Sequence, residues 1–289
     1  MTESASHPVG RRRWIRAAQI TILTVLFAVF MIPFALVLIN AFKYKRDIIS
    51  DPFSLWPDKG FTFENFTAAF LKMDYLQAFA NSLSITGLAT FAVIFLSAML
   101  AYYIVRAYNR IGKIMYTTMV VSMIIPFQAI MIPLVSIYGA QLNLLNNRLT
   151  LVFLHTGFAM SLSVFMYSGF LRSSISVSLE EAAYLDGCSH AGTFWKIMLP
   201  LVQPAVITVT IFNFMSVWNE FFMALIFTTS DEMMPVGVGL LQIVNAMKYT
   251  GQYGAMFAAV LIVFLPTFLL YIFMSEKIIA GVTGGGVKG

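Results

Sequence analysis

Residues Ser178–Ala205 read "SLEEAAYLDGCSHAGTFWKIMLPLVQPA" and set three carboxylates, a pair of alanines and a glycine between strongly apolar segments. Ser178-Leu179-Glu180-Glu181 fits the S-x-x-E capping box, in which the hydroxyl accepts from the third amide and the glutamate reaches back. Acids in a first turn suit the helix dipole, and Gly187 falls where a left-handed C-terminal cap belongs. The pattern predicts a helix of about two turns over Leu179–Asp186. A second short helix follows over Ala191–Leu199 and stops at Pro200, where an apolar run begins. The stretch is therefore a structured hairpin between two long hydrophobic segments, and that arrangement points to a polytopic helical membrane protein.

Composition agrees. The 289 residues are 59% hydrophobic and 11% charged, with a mean hydropathy of +0.82, where soluble domains carry about 25% charge. The formal charge of +5 does not imply nucleic acid, because the basic residues lie between apolar blocks and form no continuous patch. With one cysteine, Cys188, no intramolecular disulfide can form. The N-terminal "GRRRWIRAAQITILTVLFAVFMIPFALVLINAF" has the basic start of a signal peptide. Its apolar run is too long for one and has no small-x-small cleavage site, so it reads as an uncleaved first span.

Six runs are long enough to cross about 30 Å of hydrocarbon as helix: Ala17–Phe42, Ser82–Val105, Ile114–Tyr138, Thr150–Leu171, Leu201–Thr228 and Gly254–Met274. They are continuously apolar, which excludes a barrel with its alternating pattern. An even number of spans puts both termini on one side. That side holds eleven Lys/Arg, including Arg106, Arg110, Arg172 and Lys196, against seven on the other, where seven acids balance them. The positive-inside rule then makes the termini and the Ser178–Pro200 hairpin cytoplasmic. The chain divides into 1–75 (N-terminus, first span and first outer loop), 76–276 (five spans and the hairpin) and 277–289, a glycine-rich tail.

Nothing in the chain supplies energy or chemistry. Gly112-Lys113 is followed by Ile114 and fails the phosphate-loop pattern. His7, His155 and His190 are scattered, so no metal spacing arises, and no nucleophile motif is present. Glu220 is the one strong intramembrane charge, too little for an ion relay.

Polar positions cluster in the fifth run: Asn213, Ser216, Trp218, Asn219 and Glu220. Asn213, Ser216 and Glu220 follow helical spacing on one expected face. Gln128 lies between Pro126 and Pro133 in the third run, and backbone broken at membrane depth lines a cavity or is buried in protein. Such groups suit a sugar path, and equally suit bonds between neighbouring helices. The hairpin has two readings as well. It is an interfacial linker on lipid headgroups, or a docking element for a protein, which the three acids favour over an anionic membrane surface.

Here a resemblance enters. "EEAAYLDG…FWKIMLPLVQPA" resembles the EAA loop of ABC importer permeases, particularly those of maltose-type carbohydrate uptake systems. Asn81-Ser82, Ala101-Tyr102-Tyr103 with Arg106, Pro126 and Pro133, "WNEFF" at Trp218–Phe222 and the terminal "GGVKG" match as well, so the likeness covers nearly the whole chain. The resemblance implies an all-α, six-span permease whose EAA helix is a coupling helix, with Glu180, Glu181, Ala182, Ala183, Asp186 and Gly187 meeting a cytoplasmic ATPase. It implies a second homologous permease chain, two ATPase subunits that bind the ATP and Mg, and an extracytoplasmic sugar-binding protein facing loop Thr229–Tyr253. Gln128, Asn213, Ser216, Trp218, Asn219 and Glu220 are the expected substrate path. The implied site of action is the cytoplasmic membrane of a prokaryote, with no cofactor, nucleic acid or enzymatic activity in this chain. Competing readings are an importer of another solute, such as glycerol phosphate or polyamine, and an ATPase-independent channel or secondary transporter.

Overall fold

The computed structural model describes residues 9–107 and 109–284, with side chains for 13–107 and 109–275. The glycine-rich tail expected over 277–289 therefore lies beyond the described side chains, and 285–289 lie outside the described residues. In chain order the helices are α1 (Val9–Ala41), α2 (Lys45–Ser50), α3 (Glu64–Lys72), α4 (Tyr75–Arg106), α5 (Arg110–Ser122), α6 (Phe127–Leu134), α7 (Arg148–Ser174), α8 (Val177–Leu185), α9 (His190–Thr193), α10 (Leu199–Leu201), α11 (Gln203–Trp218), α12 (Phe222–Phe227), α13 (Val236–Thr250) and α14 (Tyr253–Gly284). Wide π-turns occupy Val135–Gln141 and Phe194–Met198. No strand is formed among the described residues, in keeping with the all-α expectation.

Four of these helices are long and apolar enough to cross a membrane, and six crossings result if each of two bent pairs counts as one. The bends revise two expected spans. The third run breaks after α5 and turns by 98° into α6 and the π-turn behind it. Pro126 takes an extended conformation at that break (φ −70°, ψ 138°) because its ring cannot continue the helix. The fifth run turns by 74° between the α9–α10 segment and α11. The corner falls at Val202 (ψ 6°), not at Pro200, which stays within helical backbone that continues from the π-turn through Leu201. The run also ends early: α11 stops at Trp218, and α12 is a separate helix.

The chain forms two compact units, Met1–Lys72 with Ile243–Ile262, and Met73–Gln242 with Val263–Gly289. In the first, α1 is exposed over its apolar run and buried only at its end, at Asn40 and Ala41. Its end is tied by polar groups: Lys43, fully buried, donates to Asp51 O (3.1 Å) and Pro52 O (3.2 Å). Asn65 donates to Ala41 O and Lys43 O, both at 2.9 Å. A buried ammonium that finds carbonyl partners escapes most of its desolvation cost.

The second unit is built on α4, α7 and α11. Small residues on α4 (Ala89, Ser97, Ala98, Ala101) and on α7 (Ser163, Ser168) are buried and let the backbones approach closely. Val93, Val164, Tyr167 and Val209 fill the space between them. Hydrogen bonds cross the seams, Ser122 Oγ to Ser161 Oγ at 2.7 Å and Asn213 Nδ2 to Ser163 Oγ at 2.9 Å. Packing and such cross-helix bonds, rather than water exclusion, hold helices together in lipid.

Candidate functional site

The hairpin after α7 begins where Ile175 and Ser176 adopt extended conformations. Ser176, not Ser178, is the N-cap of α8: its Oγ accepts from Ser178 N at 3.3 Å. The N-cap thus lies two residues before the expected one and the capping box at Ser178–Glu181 does not form, because α7 ends at Ser174 and the chain must turn at once. The other end matches expectation. Gly187 has φ +82°, Gly187 N donates to Tyr184 O (3.0 Å), and Cys188 N donates to Ala183 O (2.9 Å). These two bonds are the Schellman pair that closes a helix on a left-handed residue.

The short helix presents two faces. Glu180 and Ala183 are buried, whereas Glu181, Ala182, Asp186 and Gly187 are exposed, next to Leu179 and a Leu185 that is 89% exposed. Adjacent residues on a helix diverge by about 100°, so Glu180 and Glu181 cannot serve the same surface. Glu180 Oε1 accepts from Arg106 Nε in an ion pair, and Glu180 Oε2 accepts from Tyr102 Oη at 3.0 Å. Arg106 Nη2 also donates to Ile175 O at 3.2 Å. Tyr102 and Arg106 had appeared in the sequence as matches at the end of a span, and Arg106 as one of the basic residues that mark the cytoplasmic side, not as partners of Glu180. Their spacing of four residues on one helix face was the available signal.

Beyond α8, Ser189 Oγ caps α9 by accepting from Gly192 N at 3.2 Å. Tyr184 Oη lies 2.8 Å from His190 Nδ1 and joins the two short helices. Phe194 and Met198, on the π-turn, are buried in the core with Tyr167 and Val202. The Phe194 ring lies 5.4 Å from that of Tyr102.

The polar residues of the fifth run do not share one face. Asn213 is buried and donates to Ser163 Oγ and to Val209 O (2.7 Å). Trp218 is buried too, 6.0 Å from Phe214 in a stack and 5.6 Å from Phe79 edge-on. Ser216 and Asn219 are exposed together with Phe212, at helical spacing, and Asn219 Nδ2 donates to Met215 O at 2.8 Å. Because α11 ends at Trp218, Glu220 leaves that helix. Its carboxylate accepts from Met223 N (2.9 Å) and Ala224 N (3.3 Å) and caps α12. Gln128 is exposed in the first turn of α6.

The expected loop Thr229–Tyr253 is largely the helix α13, entered through a 3-10 turn at Asp231–Met233. Its start is tied at two points. Asn81 Nδ2 donates to Glu232 O and Met234 O, and Ser82 Oγ accepts from Val236 N (2.9 Å). Asn146, at φ +55°, accepts from Thr229 N (2.6 Å) and Ser230 N (3.0 Å) through Oδ1. Among the described residues no group of three His, Cys, Asp or Glu side chains comes together to hold a metal.

Comparison with known proteins follows this geometry. Residues 94–275 match the family described as binding-protein-dependent transport system inner membrane component. The probable starch degradation products transport system permease protein of Thermoanaerobacterium thermosulfurigenes is 34% identical over 266 residues, 91% of this chain and 94% of the relative. The diacetylchitobiose uptake system permease protein of Streptomyces coelicolor is 31% identical over 265 residues, 91% of this chain and 86% of the relative. Among solved structures, a chain of a bacterial ABC transporter involved in the import of the acidic polysaccharide alginate superposes with a TM-score of 0.78 at 18% identity. That match covers 95% of this chain and 99% of the other, and it speaks to the fold.

Proposed function

The chain belongs to the family of binding-protein-dependent transport system inner membrane components, and on that premise we propose that it is the permease subunit of an ATP-driven importer for a sugar or oligosaccharide. The observation that carries the reading is the near full-length likeness to two carbohydrate permeases. As a transport component and multi-pass membrane protein it has no enzymatic activity of its own, and hydrolysis belongs to its partners.

The assembly pairs this chain with a second homologous permease, two ATPase subunits that bind ATP and Mg, and an extracytoplasmic sugar-binding protein. With the two bent pairs read as single spans the chain crosses six times, and the distribution of eleven against seven basic residues supports both termini and α8 in the cytoplasm. The exposed face of α8, with Glu181, Ala182, Asp186 and Gly187, docks in the ATPase. Small alanines allow close approach, and the left-handed cap at Gly187 stops the helix at the edge of that face. Closure of the ATPases then drives alternating access. Exposed Ser216, Asn219 and Gln128, with Phe212 as an apolar platform, offer the mixture of hydrogen-bonding and flat apolar groups that sugars require. Asn213 and Trp218 hold that surface in place, while Glu220 caps α12 beyond it. The sugar-binding protein meets the segment that enters α13.

Purification of the tagged subunit from its host in mild detergent, with mass spectrometry of everything bound, tests the proposal. Recovery of an ATPase and a second permease is expected, and the co-purifying binding protein then reports its sugar by ligand screening. A chain that is stable alone, with no ATPase at any salt concentration, would overturn the importer and favour a channel or ion-coupled carrier.

A further inference from the structure

We propose that the two adjacent glutamates of α8 divide the work: Glu181 meets the ATPase, while Glu180 is a positioning residue that latches α8 to the end of α4 through Arg106 and Tyr102. This inference rests on the reading of α8 as the coupling helix.

Glu180 has its side chain 5% exposed and Arg106 12%. Theirs is the one ion pair among the described residues. Both carboxylate oxygens are taken, one by Arg106 Nε and one by Tyr102 Oη, and the donors stand four residues apart on α4. The guanidinium has a further task, since Nη2 holds Ile175 O at the end of α7. One side chain thus pins the end of α7, the corner after it and the first turn of α8 to the last turn of α4.

The backbone on either side of α8 explains why a latch is required. The helix enters through the extended corner at Ile175–Ser176 and leaves through the left-handed Gly187. Two non-helical corners let a nine-residue helix rock about its ends without moving the body. A paired, buried charge removes that freedom, because displacing Glu180 would strand it or Arg106 in a poorly solvated site. A push received by the exposed face of α8 is then delivered to α4 and α7, the central packed pair of this unit. Glu180 transmits the movement and does not touch the ATPase.

The test uses the complete transporter, reconstituted in liposomes with its binding protein and assayed for bound ATPase, ATP hydrolysis and uptake per ATP. Glu180→Gln keeps the ATPase bound and hydrolysing, while uptake per ATP falls about tenfold, within the usual range of coupling between sites. Glu181→Gln releases the ATPase instead. If Glu180→Gln does not assemble, Tyr102→Phe removes one of the two bonds and keeps the ring on Phe194, and it lowers uptake per ATP by a smaller factor. Release of the ATPase by Glu180→Gln, or uptake per ATP equal to wild type in both Glu180→Gln and Tyr102→Phe, would overturn the latch. Failure of the coupling reading itself would be visible separately, as absence of the ATPase from the wild-type complex.

Discussion

Asn81 holds Met234 in place: the fully buried amide on α4 donates to Met234 O at 3.0 Å and, with its other hydrogen, to Glu232 O at 2.9 Å. One side chain therefore satisfies two carbonyls of the 3-10 turn that leads into α13. The neighbouring Ser82 Oγ takes Val236 N, the first amide of the helix. The Asn81-Ser82 pair is a clamp on the segment proposed to meet the sugar-binding protein.

Asn81→Ala is expected to leave Met234 O without a partner in a buried site, a cost of about 1–3 kcal/mol, while Glu232 O keeps Gln77 Nε2 at 3.2 Å. Asn81→Asp is worse, because a carboxylate would face two carbonyl oxygens and has no hydrogen to give. Thermal unfolding of the detergent-solubilised protein should rank wild type above Asn81→Ala above Asn81→Asp. Equal melting temperatures would show that the turn is held by other contacts.

The end of α8 is a question of backbone strain alone. At Gly187 a Cβ would meet nothing within 4 Å, yet φ is +82°. A left-handed conformation costs an ordinary L residue about 1–2 kcal/mol. Gly187→Val should therefore fray the last turn of α8 and reduce ATPase co-purification, Gly187→Ala less so. Gly187→Asn, which tolerates positive φ best among side-chain-bearing residues, should be mildest. Co-purification that stays at wild-type level in Gly187→Val would separate this cap from docking.

The two candidate caps at the start of α8 make a third comparison. Ser176→Ala removes the observed N-cap and is expected to cost about 1 kcal/mol, read as a lower melting temperature of the solubilised subunit. Ser178→Ala removes an exposed hydroxyl whose one partner is Ser176 Oγ (2.7 Å), with an effect within about 0.5 kcal/mol. The reverse order would restore the capping box at Ser178–Glu181.

That pair of serines also marks the limit of what the sequence conveys. The S-x-x-E pattern fits Ser178 better than Ser176, and only the abrupt end of α7 at Ser174 decides between them. Long helices such as α1, α4, α7 and α14 were legible because an uninterrupted apolar run of that length has few alternatives. The break in the third run was legible in kind, since Pro126 and Pro133 interrupt it. Its 98° angle, the 74° turn at Val202 and the end of α11 at Trp218 were not, because they depend on what each half packs against. Likewise Glu180 and Glu181 are chemically equivalent in sequence. Which one turns inward is set by Arg106, 74 residues away.

Asn219 and Glu220 are adjacent and polar, yet their surroundings predict opposite phenotypes. The Glu220 carboxylate accepts two amides of α12, so Glu220→Ala exposes that helix end and should cost about 0.5–2 kcal/mol in the manner of a lost cap. Glu220→Gln keeps one acceptor oxygen and should fall between. Neither change alters the exposed surface of Ser216, Phe212 and Asn219, so the uptake rate per correctly assembled transporter stays near wild type. Asn219 spends its amide on Met215 O and leaves Oδ1 exposed as an acceptor. Asn219→Ala should keep the melting temperature within about 0.5 kcal/mol equivalent, as exposed substitutions usually do, while lowering the maximal uptake rate. The decisive measurement is uptake in reconstituted vesicles, normalised to assembled complex, beside thermal unfolding of the same preparations. A stability loss in Asn219→Ala with normal transport, or normal stability with lost transport in Glu220→Ala, would exchange the two roles and move the substrate path from α11 to the start of α12.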